Sequence, residues 1–212
     1  MFWDRVAFVY DIFANIINKK VHKKLKEIVA NEITKDDDVL ECACGTGMLT
    51  KVVAPKSKSI IATDFSSKML KRAKKKCKKF NNVEFMNANI MKLEFDDNSF
   101  DIVIAANVIH LLDDPIKAIN ELDRVCKENG KIIIPTYMNN DEKGNTSGFA
   151  KRVGKAGANF KRQFTYDSYK EFFSEFGYRN VEYTMINGKV PCCVAVIKNS
   201  RKVMILWFGG LS

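Results

Sequence analysis

Residues 39–47, with the sequence VLECACGTG, contain the pattern that decides the fold of this chain of 212 residues. A short apolar run includes an acidic residue, Glu41, and passes into a turn with two glycines, Gly45 and Gly47. Glycine gives a turn backbone conformations that other residues rarely adopt, and it lets a ligand approach the main chain closely. The stretch is therefore typical of a buried strand, a ligand-binding turn and a helix that begins near Met48.

Further apolar runs follow this turn and alternate with helical patterns. The strands predicted next are 59–63, 83–86, 101–105 and 131–135. The helices predicted between them are 66–80 and 115–126, the second ended by Asn129-Gly130. Strands and helices that alternate at this spacing require parallel, right-handed crossovers. The fold class predicted is α/β, a doubly wound and mostly parallel sheet covered by helices on both faces.

The last third of the chain has a different pattern. A helix is predicted at 166–176, followed by strands at 178–186 and 190–197 that are separated by Asn187-Gly188, a typical hairpin turn. We therefore expect a Rossmann-like, seven-stranded sheet that ends in an antiparallel hairpin. The expected plan of the single domain, 1–212, is a helical cap (1–34), a cofactor-binding core (35–137), a mobile insertion (138–163), a helix and hairpin (164–198) and a tail (199–212).

The composition describes a globular protein with an uneven charge. Hydrophobic residues make up 46% of the chain, and the formal net charge is +10. Residues 68–79 contain eight basic and no acidic residues, and residues 149–163 contain five basic and no acidic residues. The first group is expected to form a solvated helix face, which makes nucleic acid an unlikely partner; the second indicates an anionic acceptor or surface. No apolar run reaches the roughly 20 residues of a membrane span, so we expect a cytoplasmic protein with free thiols.

Residues that follow the strands are the candidates for a ligand site, because the strand ends of an open α/β sheet form its binding crevice. Asp64 follows the second strand, where a carboxylate accepts hydrogen bonds from both ribose hydroxyls. A nicotinamide-binding turn would have a third glycine where Thr50 stands, and pyrophosphate does not explain the carboxylate of Glu41. A cationic nucleoside cofactor without phosphates, S-adenosylmethionine, fits both acids. The alternative is that Gly45 and Gly47 only allow a helix to pack tightly.

The chain resembles the class I S-adenosylmethionine-dependent methyltransferases in four motifs. These are residues 39–47, residues 64–70 (DFSSKML), residues 93–103 (LEFDDNSFDIV) and residues 125–131 (VCKENGK). Residues 2–11, FWDRVAFVYD, resemble the start of the quinone-biosynthesis branch of that family. The resemblance is close over residues 2–137 and loose beyond them.

The resemblance implies a set of cofactor contacts. Backbone contacts with the methionine part would come from the turn after the first strand, with Glu41 below it. Asp64 would bind the ribose, Phe65 and Ile90 would enclose the adenine, and Asn89 would accept a hydrogen bond from the adenine amino group. The complete set implied is Tyr10, Glu41, Ala43, Cys44, Gly45, Thr46, Gly47, Asp64, Phe65, Met69, Asn89, Ile90, Ala106 and Asn107.

Two residues are candidates for acid–base catalysis. His110 and Tyr137 follow the fourth and fifth strands, near the expected methyl-transfer face, and each is a candidate base. Both also have a packing interpretation, and methyl transfer needs no strong base because the sulfonium is already activated. His22 is expected on a helix surface. No metal site is expected, since Cys192 and Cys193 are adjacent on a strand and point to opposite faces.

The acceptor is the least determined part of the function. The main hypothesis is methyl transfer from S-adenosylmethionine, which leaves S-adenosylhomocysteine, to a small organic acceptor, for which the basic segment 149–163 indicates anionic character. The alternatives are a lipid-like quinone or a phospholipid headgroup at a membrane surface, with peripheral membrane contact, and RNA as a weaker candidate. A non-catalytic module that binds S-adenosylmethionine is the hypothesis from outside the enzyme class.

Overall fold

A seven-stranded sheet forms the centre of the molecule, as seen in a computed structural model that describes residues 18–139 and 161–199. The strand order is β3-β2-β1-β4-β5-β7-β6. The strands are β1 (Asp38–Cys42), β2 (Ser59–Asp64), β3 (Val83–Asn87), β4 (Phe100–Ala105), β5 (Cys126–Tyr137), β6 (Val181–Ile186) and β7 (Cys192–Lys198). The described helices are α1 (Lys19–Asn31), α2 (Thr50–Val53), α3 (Ser67–Cys77), α4 (Pro115–Val125) and α5 (Tyr166–Glu175), with a 3-10 turn at Ile109–Leu111.

The central strands are apolar on both faces, because each face is covered by its own core. Consecutive residues of β1 point to opposite faces: Val39 and Leu40 belong to different clusters of buried side chains. One cluster is completed by α4 and α5, and the other by α1 through residues such as Leu25 and Val29. Since β1 to β5 pair in parallel, the predicted doubly wound α/β fold is confirmed.

The strand order reverses between β1 and β4. From β1 the chain continues to β2 and β3 on one side, and it returns to β4 and β5 on the other. The loops that leave β1 and β4 therefore diverge, which opens a crevice at the carboxyl ends of these two strands. This is where the sequence places its candidate ligand residues.

The predicted C-terminal hairpin is also present. β6 and β7 pair antiparallel on either side of the segment that contains Asn187-Gly188, and β7 pairs antiparallel with β5. Cys192 and Cys193 belong to the cores on opposite faces of the sheet. The strand that is last in the sequence thus lies inside the sheet, between β5 and β6.

One predicted boundary is wrong. Asn129-Gly130 does not end the helix before the fifth strand, since α4 already stops at Val125 and both residues lie within β5. Asn129 has a φ of +66°, and the β4–β5 register shifts beside it. A Cβ on Gly130 would lie 2.7 Å from the carbonyl oxygen of Asp101. The dipeptide therefore forms an irregularity inside a strand, where only glycine fits against β4.

Several predicted segments lie outside the described residues. These are residues 1–17 of the expected helical cap, with Tyr10, most of the predicted insertion at 138–163, and the tail from residue 200. Within residues 18–139 and 161–199, no helix is long and apolar enough to cross a membrane.

Candidate active site

A cavity of about 300 Å³ opens at the carboxyl ends of β1, β2 and β4. Twelve of the residues expected to contact a cofactor line it. They are Glu41, Ala43, Cys44, Gly45, Thr46, Asp64, Phe65, Met69, Asn89, Ile90, Ala106 and Asn107. Of the other two, Tyr10 lies outside the described residues, and Gly47 is not part of the described lining. The topology thus brings residues from four separate loops to one crevice.

The turn after β1 has a left-handed backbone at three positions. The φ angles are +53° at Ala43, +56° at Gly45 and +81° at Gly47. The turn is fixed to β2 by a hydrogen bond from the N–H of Cys44 to the carbonyl of Thr63, at 2.8 Å. Ala43 carries a β-carbon in a conformation that disfavours it, so the fold holds some strain at the floor of the cavity.

Gly47 has a packing role. A Cβ at this position would lie 3.1 Å from the Cβ of Ala73 and 3.3 Å from the Sγ of Cys77, both on α3. A Cβ on Gly45 would meet no atom within 4 Å. The two glycines of the turn therefore serve different ends: Gly45 faces the cavity, and Gly47 lets α3 approach the loop.

Asp64 joins two of the loops that form the cavity. Its carboxylate accepts the N–H of Gly45 and the N–H of Ser66, each at 2.8 Å. Asp64 also lines the cavity, where a carboxylate is an acceptor for the hydroxyl groups of a ligand. The side chain of Ser66 in turn accepts the N–H of Met69 and begins α3.

Glu41 is a buried acid in the wall of the cavity. Its side chain is only 2% exposed and accepts a hydrogen bond from the hydroxyl of Thr50 at 2.6 Å. Burial raises the pKa of Glu41 to about 8; the Thr50 hydrogen bond opposes this change, and the charge of Asp64 adds to it. A cation placed beside this carboxyl would favour its ionised form. The partnership with Thr50 was not predicted from the sequence.

The side of the cavity formed after β2 and β3 is mostly apolar. Phe65 is 57% exposed at its rim, whereas Met69 and Ile90 are buried. The Oδ1 of Asn89 accepts the N–H of Met91 at 3.0 Å, which leaves one lone pair of that oxygen available. An aromatic ring bound on this side of the cavity would contact apolar side chains and one hydrogen-bond acceptor, the Oδ1 of Asn89.

The opposite side of the cavity is formed by the loop after β4. Asn107 has a φ of +54°, and its N–H donates to the carbonyl of Pro135 on β5 at 2.7 Å. Its side-chain oxygen is buried and accepts no hydrogen bond within the described part of the chain. The lining residues that sequence reasoning missed are all apolar: Met48, Leu49, Ala88, Met91, Val108, Leu111 and Leu112.

The two candidate catalytic residues are neighbours but do not line the cavity. The rings of His110 and Tyr137 are 6.4 Å apart, and neither residue belongs to the described lining of the cavity. His110 is buried, and this burial lowers its pKa to about 4. At neutral pH its imidazole is therefore uncharged.

His22 is not on the surface, so that prediction is wrong. It is 2% exposed, and its Nε2 lies 2.7 Å from the hydroxyl oxygen of Tyr137. The helical spacing contained a signal for this position, because His22 lies three residues before Leu25 and seven before Val29, on the buried face of α1.

Comparisons with known proteins agree with this geometry. A family model described as a methyltransferase domain matches residues 40–134. The demethylmenaquinone methyltransferase of Staphylococcus carnosus is 30% identical over 89% of this chain and 88% of its own length. The Staphylococcus aureus enzyme of the same name is 33% identical over 62% of this chain and 56% of its own length.

Solved structures show the same fold at lower identity. An S-adenosylmethionine-dependent methyltransferase from Thermotoga maritima superposes with a TM-score of 0.73 at 18% identity, covering 94% of this chain and 99% of that one. The N-methyltransferase NodS of Bradyrhizobium japonicum, solved with S-adenosylhomocysteine, gives 0.65 at 18% identity, covering 84% and 85%. These similarities confirm the fold.

The residues of the cavity suit such a cofactor. Its described lining contains two acids and no lysine or arginine, which is a poor environment for phosphates and a good one for a cation. The two acids lie beside the turn after β1, whose glycine lets a ligand approach the main chain. The apolar side chains of Phe65, Met69 and Ile90 line the adjoining part of the cavity. With the family match and the Staphylococcus carnosus relative, the chain belongs to the class I S-adenosylmethionine-dependent methyltransferases and to their quinone-methyltransferase-like branch.

Proposed function

We propose that this methyltransferase acts on a small organic acceptor of the lipid-like quinone type, in its reduced hydroquinone form. The observation that carries the proposal is the 30% identity with a demethylmenaquinone methyltransferase over nearly the whole of both chains. The acceptor named for that relative is a quinone, and we propose the same acceptor class for this chain in place of an unidentified small molecule.

The cavity supports a specific division of roles among its residues. Glu41 would hold the cationic methionine end, next to the backbone of the turn from Ala43 to Thr46. Asp64 would accept the ribose hydroxyls, while Phe65 and Ile90 would enclose the adenine. S-adenosylmethionine supplies an activated methyl group on a sulfonium, so the protein has to orient the acceptor and exclude water.

The far end of the cavity supports an uncharged, apolar acceptor. Val108, Leu111 and Leu112 line it, and all three side chains are apolar. The nearest described members of the basic segment already have partners: the Nζ of Lys161 is 2.6 Å from a carboxylate oxygen of Asp113, and Arg162 donates to the carbonyl of Leu112 at 3.1 Å. An anionic acceptor is therefore less well supported than a neutral hydroquinone.

A transfer assay with a labelled methyl group tests the proposal. The purified protein is incubated with labelled S-adenosylmethionine and, separately, with a short-chain demethylmenaquinol, phospholipid vesicles and total RNA. We expect label in the quinol alone, and none when Asp64→Ala is used. Labelling of RNA or phospholipid instead would contradict the acceptor class. Binding of S-adenosylmethionine in calorimetry without methyl transfer to any of the three acceptors would favour the non-catalytic module.

A further inference from the structure

The helices on the two faces of the sheet form two separate layers. α1 and α2 pack with Ile60 of β2, and α3 packs with Ala62 of the same strand. Residues two apart on a strand point to the same face, so α1, α2 and α3 lie on one face of the sheet. α4 and α5 pack with Leu40 on the other face. Each charged residue of these helices can therefore be assigned to one layer.

The layer of α1, α2 and α3, here named the basic layer, has almost only positive charges. Its three helices contain twelve lysine and arginine residues and a single acidic residue, Glu27. The helices of the other layer, α4 and α5, contain three basic and five acidic residues. The lysines of α1 are distant from those of α3 in the sequence, and the fold places both groups on one face.

Pairing within the protein does not account for this concentration of charge. The exposed lysines of α3 include Lys68, Lys71 and Lys75, which are three and four residues apart. Like charges at this spacing repel each other on a helix. On α1, Lys24 lies 3.6 Å from Glu27, but both side chains are largely exposed, and such a pair contributes little to stability. The basic layer is better explained by an anionic partner outside the protein.

The side chains around these lysines favour a lipid surface over a nucleic acid. Proteins that bind single-stranded nucleic acids combine basic residues with exposed aromatic rings on which the bases stack. In the described ranges the exposed aromatic residues are Tyr166, on α5 in the other layer, and Phe65, at the rim of the cavity. Since we place the adenine of the cofactor against Phe65, the basic layer offers the bases no exposed ring.

The position of the cavity gives this surface a use. Phe65 and Met69, at the start of α3, line the cavity, and Lys68 and Lys71 on the same part of the helix are exposed. A lipid-like quinol partitions into a bilayer because its apolar surface is removed from water there. A protein bound to that bilayer through the basic layer has its cavity close to the acceptor.

We propose that the basic layer binds the surface of an anionic lipid bilayer, from which the enzyme takes its acceptor. The inference rests on the proposed function, because a lipid-like acceptor has the membrane as its source. Each lysine close to an anionic bilayer strengthens binding by about fivefold, and this attraction falls off within about 10 Å at moderate salt. Several lysines on one face together give reversible binding without insertion into the bilayer.

Two double variants with the same change in net charge test the surface. Lys71→Gln/Lys75→Gln removes exposed lysines of the basic layer, and Lys117→Gln/Lys170→Gln removes exposed lysines of α4 and α5. Binding is measured by co-sedimentation with phosphatidylcholine vesicles that contain phosphatidylglycerol. We expect the first variant to bind about 25-fold more weakly than the wild type, and the second to stay within about threefold. Equal losses in both, or no binding by the wild type, would overturn the inference.

Two further variants show whether the whole layer takes part and whether charge is the cause. Lys20→Gln/Lys23→Gln removes exposed lysines of α1 and should also weaken binding by about 25-fold. Lys71→Arg/Lys75→Arg keeps the charge and should bind as the wild type does. Wild-type binding by the α1 variant would contradict a surface formed by the layer, and weak binding by the arginine variant would contradict an electrostatic attraction.

The same assay distinguishes lipid from nucleic acid. We expect no binding to vesicles of phosphatidylcholine alone, and release from the anionic vesicles as salt is added. Polyuridylic acid is then added at a phosphate concentration equal to that of the anionic lipid, and the protein should stay on the vesicles. Release by the RNA would overturn the choice of a bilayer in favour of nucleic acid. All variants should bind S-adenosylhomocysteine with wild-type affinity, since these lysines do not line the cavity.

Turnover separates this inference from the proposed function. With a long-chain demethylmenaquinol embedded in anionic vesicles, Lys71→Gln/Lys75→Gln should raise the apparent KM by about 25-fold. With a short-chain quinol in solution, its kcat and KM should equal those of the wild type. An equal loss with both quinols would contradict the inference. Vesicle binding is measured without an acceptor, so a wild type that binds the anionic vesicles but methylates neither quinol would refute the proposed function alone.

Discussion

Glu41 shows how one buried carboxyl links the cavity to the stability of the fold. In the folded protein burial raises its pKa to about 8, whereas the carboxyl of an unfolded chain titrates near 4.5. Between these two pH values the folded state holds a proton that the unfolded state has released. The free energy of unfolding should therefore fall as the pH rises through this window.

Glu41→Gln tests this linkage, because glutamine keeps an acceptor for Thr50 and has no charge to bury. The contribution of Glu41 to the pH slope is at most about 1.4 kcal/mol per pH unit, and the variant should lose it. Urea unfolding at several pH values between about 5 and 8 measures the slope. This pH range lies between the pKa of Glu41 in the unfolded chain and its pKa in the folded protein. Glu84→Gln, on the exposed face of β3, should keep the wild-type slope; equal slopes for both variants would contradict the prediction.

At the scale of elements, the turn after β1 and α3 depend on a close approach at Gly47. Gly47→Ala would place a Cβ 3.1 Å from Ala73 at a φ of +81°, so strain and overpacking act together. We expect a loss of about 2–4 kcal/mol in the free energy of unfolding, measured in urea. Gly45→Ala has the strain without the contact and should lose only about 1–2 kcal/mol. A smaller loss for Gly47→Ala than for Gly45→Ala would be the contrary result.

Most of the elements, and twelve of the residues that line the cavity, could be predicted from the sequence. Strands buried on both faces are apolar runs, and Asp64 and Asn107 lie at strand ends that a parallel topology must bring together. The end of the fourth helix was predicted too late because the dipeptide Asn129-Gly130 is common both at helix ends and at irregularities within strands. His22 was missed because its partner is 115 residues away, and the apolar wall was missed because loops have no hydrophobic period to read.

For the whole molecule, the concentration of positive charge matters more than its total. Exposed lysines cover α3 and its end, including Lys68, Lys71, Lys74 and Lys75, with no acid among residues 68–79. Like charges three and four residues apart repel each other on a helix. The most basic part of the surface is therefore expected to reduce stability.

Lys71→Glu should stabilise the protein by about 0.5–1 kcal/mol at low ionic strength, since it replaces repulsion by attraction toward three neighbouring lysines. Thermal unfolding measures the gain, which should shrink as salt is added. Lys117→Glu is a control in which the opposite effect is expected. Lys117 lies on α4 near Asp114 and Glu121, so the reversal of its charge replaces attraction by repulsion and should lower the stability of the protein. Stabilisation by both substitutions, or by neither, would show that local pairing is not the cause.

The position of β7 inside the sheet has a consequence for biosynthesis. A ribosome delivers the strands in order, so the long strand β5 is complete well before its neighbour β7 leaves the exit tunnel. Until residue 198 emerges, β5 keeps one edge of unpaired backbone groups, which is a template for pairing with another nascent chain. A message truncated before β7 would therefore yield an aggregating fragment rather than a smaller enzyme, and translation of the last third is the period in which this protein most needs a chaperone.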